Sequence, residues 1–156
     1  MKIFTRLRQF GPEAEILLQL LVIAALFLGL LVGLRTFTAP AVLWLMRRPG
    51  PLALVLAALA VFEYVVDLNP KAPPRTQPLG LIARICSGGF CGWSLMTAGG
   101  GPVALGVAAG ALGAIAGTYG GLAARMRAIA LIGRIPAAIV EDCFAVVASA
   151  AVVFYM

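Results

Sequence analysis

The chain has 156 residues, of which 62% are hydrophobic and only 12% charged, with a formal net charge of +6. A soluble domain carries roughly 25% charged residues, so composition excludes an ordinary soluble enzyme. It also contains no histidine, which removes the commonest metal ligand and the usual catalytic base. The mean hydropathy is +1.04, and several apolar runs reach the ~20 residues that a helix needs to cross a bilayer. Nothing alternates like barrel strands, and backbone groups in lipid must be satisfied internally. The expected fold class is an all-α polytopic helical membrane bundle, one domain over 1–156 with about five spans.

The first stretch carries Lys2, Arg6 and Arg8, then Gly11-Pro12-Glu13-Ala14-Glu15. Proline and acids at this position signal a helix N-terminus. A span over 16–34 follows; it is longer than the apolar part of a cleaved leader. Residues 37–48 are too short to span. They read either as a re-entrant or interfacial helix, with Trp44 at headgroup depth, or as an ordinary surface loop. The second span is expected over 50–68, apolar until Glu63 and stopped by Asn69-Pro70. A proline-rich loop holding Lys71 and Arg75 leads to a third span over 79–97, with Arg84 in its first turns.

The turn Gly99-Gly100-Gly101-Pro102 opens a fourth span, 102–125. Gly106, Gly110, Gly113, Gly117 and Gly121 make overlapping G-x-x-x-G steps along it. In lipid such a face lets helices approach closely, so this helix is expected at the centre, packing a tight bundle or a homo-oligomer. A fifth span runs over 136–155, with Glu141 and Asp142 in its first turns. Cys86, Cys91 and Cys143 lack any C-x-x-C pairing and read as packing residues. Ser87, Ser94, Thr97 and Ser149 have no base beside them, so no catalytic constellation, metal site or cofactor is expected.

Charge counting predicts the orientation. With five spans, Lys2, Arg6, Arg8, Lys71, Arg75, Arg84, Arg125, Arg127 and Arg134 fall on one side, and Arg35, Arg47 and Arg48 on the other. The richer side is cytoplasmic by the positive-inside rule, so the N-terminus is expected inside and the C-terminus outside. The scattered cations suit anionic lipid headgroups rather than nucleic acid. Leu28-Gly29 to Gly33 also echoes Leu112-Gly113 to Gly117, and each is followed one helix later by an acidic pair. That pattern suggests an inverted repeat, as in many transporters.

The residues that could carry function are the intramembrane charges. Glu63 and Asp67 share a helix face at i and i+4. Read functionally they are a proton or cation site; read structurally they are a salt-bridged latch with Arg84 or Arg75. Of Glu141 and Asp142, about 100° apart, Glu141 is expected to face the interior, unless both merely favour the helix dipole. Arg35, beside Thr36 and Thr38, would take an anion from the outer side or snorkel. Lys71 and Arg75 would contact a partner or lipid.

Five segments carry a family resemblance: Gly33 to Pro40, Glu63 to Asp67, Pro70 to Thr76 with Gly80 to Arg84, Gly117 to Gly121, and Glu141-Asp142. Together they resemble a bacterial family of small integral membrane proteins known as domain of unknown function 4126. The resemblance implies a bacterial inner-membrane protein and brings no activity with it. Two functions are therefore expected from the residues alone: a small proton- or cation-linked transporter or conduit, or a non-transporting scaffold for a membrane partner or anionic lipid.

Overall fold

A computed structural model describes residues 11–68 and 76–156. Residues 1–10 and 69–75 lie outside it, and with them the expectations for Lys2, Arg6, Arg8, Lys71 and Arg75. Among the described residues there are six helices: α1 (Gly11–Leu34), α2 (Thr38–Arg47), α3 (Pro51–Leu68), α4 (Pro78–Gly99), α5 (Val103–Ile132) and α6 (Arg134–Tyr155). Four stretches, Glu13–Leu34, Pro78–Gly99, Val103–Ile132 and Arg134–Tyr155, are long and apolar enough to cross a membrane. The expected second span, α3, is 18 residues long and is not one of these four, so four of the about five expected spans are accounted for among the described residues. Large apolar side chains such as Leu54, Val147 and Phe154 are exposed on helix faces, which suits contact with lipid rather than water.

Proline and glycine set the helix ends. Pro51 and Pro78 open α3 and α4 at positions where the missing N–H costs nothing. Gly100 ends α4 at φ +69°, with the Gly101 amide bonded to the Met96 carbonyl. Gly133, at φ +86°, is the single residue between α5 and α6. Both occupy the left-handed region that side-chain-bearing residues avoid.

α5 is central, as its glycines predict. It packs along α1 and α4, and those two also touch. A Cβ on Gly110 would strike the Gly88 carbonyl oxygen, one on Gly113 the Leu26 carbonyl, and one on Gly117 the Leu30 carbonyl. Gly106 lies against Gly92 in the same way, and Gly121 against the Leu34 side chain. At this range the backbones themselves make the dispersion contacts. The glycine face is thus used up inside one chain, which removes it as the seam of a homo-oligomer.

The repeat is not inverted. Gly29 lies against Gly113 and Gly33 against Gly117, so the two motifs face each other with residue numbers rising together. α1 and α5 therefore run parallel. The matching glycines pair because two parallel helices can come this close only where both lack side chains.

α2 turns back into the bundle. Thr38, Ala39, Pro40, Ala41 and Leu43 are buried, which rules out a surface loop or an interfacial helix. Trp44 stacks on Phe90 at 5.5 Å, and Phe90 on Trp93 at 5.8 Å, joining α2 to α4. α3 then returns antiparallel to α2, with Thr36 and Glu63 at the same level. Its inner stripe, Ala53, Ala57, Ala60, Tyr64 and Asp67, is mostly small; its backbone packs along α2 and α6.

This hairpin changes the topology. Leu17, Leu20, Tyr155 and Met156 line one groove of about 420 Å³, so the start of α1 and the end of α6 lie at one end of the bundle. Arg35, Glu63 and Asp67 lie toward the other. The expected separation of Arg35 from the acids is overturned, because Arg35 pairs with Asp67 and Asp142. The N-terminal end of α1 and the Glu63–Asp67 stretch lie toward opposite ends of the bundle.

Candidate functional site

The break between α1 and α2 covers residues 35–37, and it creates the site. A helix end leaves up to four backbone donors without partners, which is costly away from water. Glu63, from α3, supplies the acceptors. Its carboxylate takes the Thr36 amide at 2.9 Å, the Thr36 hydroxyl at 2.8 Å and the Phe37 amide at 3.2 Å. A carboxylate at this helix start is also favoured by the α2 dipole. Beside it, the Tyr64 hydroxyl meets Thr38 Oγ1 at 2.6 Å.

Arg35 follows directly on α1, its amide still bonded to the Leu31 carbonyl at 2.9 Å. Its side chain is 0% exposed. Nη1 pairs with Asp67 of α3, Nε lies 2.5 Å from Asp142 of α6, and the guanidinium sits 5.4 Å from the centre of the Tyr64 ring. The Asp142 contact is an ion pair. Arg125 of α5 makes a second bridge, with Nη1 donating to Asp67 at 3.0 Å and to Glu141 at 3.0 Å. Arg84 of α4 lies 3.7 Å from Glu63 and donates to the Gly80 carbonyl at 3.1 Å.

The result is one layer of four carboxylates and three guanidiniums drawn from four helices and the α1–α2 break. At 1.5 Å per residue, Asp142 is about 12 Å from the Arg134 end of α6 and about 20 Å from the Tyr155 end. Arg84 is likewise about 9 Å from the start of α4 and about 22 Å from its end. The layer therefore lies about two turns in from the α5–α6 turn and beside the end of the α1 span, which closes at Leu34. Charges here carry a desolvation cost of several kcal/mol each, which only close pairing offsets.

All six residues singled out as a candidate ion site, Glu63, Asp67, Glu141, Asp142, Arg35 and Arg84, meet in this layer. Three individual expectations change. Arg35 does not face an outer side: it is buried between acids. Glu141 and Asp142 both reach inward, because Arg125 and Arg35 approach them from different helices. Glu63 is a helix cap as well as an ion-pair partner, so its carboxylate is already committed to backbone.

Arg125 is a site residue that sequence reasoning missed, having been treated as a loop cation. A signal was present: it continues the four-residue series Gly113, Gly117, Gly121 and so lies on the face that points inward. Among the described residues no three metal-ligating side chains converge, since the acids are interleaved with guanidiniums. Of the cysteines, only Cys91 is packed in the core; Cys86 and Cys143 are exposed on helix faces.

No protein-family model matches the chain, and no curated protein or solved structure is significantly similar to it.

Proposed function

We propose that the protein moves a proton or small cation across a bacterial inner membrane, using Asp67, Glu141 and Asp142 as the exchanging acids. Arg35 and Arg125 are their counter-ions, and Glu63 holds the helix break. The observation that carries this reading is the placement of Arg35. A wholly buried guanidinium lies between acids of two helices, at the break between α1 and α2. Breaks between helices are where transporters gather coupling ions, and well-packed apolar residues would serve a plain structural joint as well or better.

The chemistry is simple. Protonation of Asp67 or Asp142 removes one of the charges facing Arg35 and loosens its hold on α3 or α6. α3 is the least embedded helix of the bundle, so the α2–α3 hairpin is the element that would shift. Purified protein in proteoliposomes, with an internal pH dye and an imposed gradient, tests this. Flux should fall at least tenfold in Glu141→Gln and Asp142→Asn variants that remain folded. Unchanged flux in both would remove the acids from the mechanism, and no flux of protons or alkali cations in the native protein would end the reading.

A non-transporting scaffold is the second reading. It is favoured by the outer face of α3, where Leu54, Val61, Phe62 and Val65 are exposed. A second copy or a partner's helix would dock there, with Lys71 and Arg75 meeting the partner or anionic lipid. Under this reading, neutral substitutions at Lys71 and Arg75 abolish co-purification while flux is never seen.

A further inference from the structure

Two wholly buried side chains hold polar atoms that find no protein partner among the described residues: Arg35 at Nη2 and Ser149 at Oγ. Ser149 stands out against Thr118, which is as fully buried but bonds back to the Ala114 carbonyl at 2.7 Å. A helical serine has the same option, the carbonyl four residues back. Ser149 does not take it, so its hydroxyl is turned into the seam. Leaving such an atom dry costs about 1–3 kcal/mol, and buried polar groups of this kind are ordinarily met by ordered water.

Both atoms belong to one seam. Asp142, Ala145, Ser149 and Val153 form the inner stripe of α6. α2 runs alongside it, anchored at the top by Arg35 on Asp142 and at the bottom by Arg47 Nη2, which donates to the Val153 carbonyl at 3.0 Å. Ser149 therefore lies between the anchors, about 10 Å along the helix from Asp142. The side chain between them on the stripe is Ala145, and Ala39 is buried on α2.

We propose that the α2–α6 seam holds a short file of water running from Arg35 and Asp142 to Ser149, and that this file is the proton route into the charged layer. The role of the file rests on the transport reading above; its existence rests only on the buried polar atoms.

Silver-ion accessibility tests it. Silver enters where water does and reacts with thiolates, whereas a thiol in a dry apolar site stays protonated and inert. Ser149→Cys is introduced with Cys86→Ala and Cys143→Ala, leaving native Cys91, which is 0% exposed, as the dry reference. Proteoliposomes are treated with silver, denatured, and the remaining thiols labelled with maleimide. Ser149→Cys should be protected at least tenfold faster than Cys91. Equal rates overturn the water file even if native flux is present. Rapid protection with no native flux leaves the file standing and overturns its role as a proton route, along with the transport reading. Flux that survives Ser149→Leu in a folded bundle also overturns the route.

Discussion

The Glu63 carboxylate takes both the backbone amide and the side-chain hydroxyl of Thr36, at 2.9 and 2.8 Å. One acid from α3 thus closes the gap that the chain opens when α1 stops at Leu34. The contact explains why a charge that looks misplaced on an apolar helix is tolerated: the break needs an acceptor at that height.

Removal of this cap should be costly. Glu63→Ala leaves the Thr36 and Phe37 amides without acceptors and should destabilise the bundle by about 2–4 kcal/mol. Glu63→Gln keeps one carbonyl acceptor and should lose roughly half as much. Unfolding in mixed detergent, followed by circular dichroism, would rank the two. Equal losses would mean that the Glu63 charge matters and the cap does not.

The Arg125 bridge should behave as a coupled unit. Arg125→Gln strips a counter-ion from Asp67 and Glu141 and should cost about 3 kcal/mol. The double variant with Glu141→Gln should recover part of that loss, with a coupling of about 1–3 kcal/mol in the same unfolding measurement. Additive losses would show that the 3.0 Å contact contributes little.

Two neighbouring glycines should respond in opposite ways. Gly117→Val drives side-chain atoms into the Leu30 backbone of α1 and should destabilise by at least about 1–3 kcal/mol. Gly120 has open space around its Cβ position, so Gly120→Ala should be neutral or gain up to about 1 kcal/mol from helix propensity. Thermal aggregation of the purified variants is a sufficient readout. A destabilised Gly120→Ala would point to a contact outside the single chain, such as a second copy.

Both chain ends should report the same side of the membrane. The α2–α3 hairpin adds a turn that a five-span topology lacks. Epitope tags placed at the two termini should therefore be cut together by a protease that reaches one face of oriented vesicles. Cutting of one tag only would mean that α2 and α3 do not fold back as described here.

The class of the protein was legible from the sequence because bilayer solvation is a one-dimensional constraint: length and apolarity of a run suffice. The central place of α5 was legible for a similar reason, since G-x-x-x-G steps mark a bare face whatever the partner turns out to be. The acids were legible as unusual because charge is costly in hydrocarbon. The partners of these features were not. Whether glycine faces meet within a chain or between copies, and whether similar motifs run parallel or inverted, depends on which helices lie side by side. The height of Arg35 was misread because counting charges assumes that every turn sits at the surface. Here the chain turns buried among other helices, where Glu63 satisfies its backbone. Only the tertiary structure decides that, because acceptor and donors are separated by a hairpin that must fold before they meet.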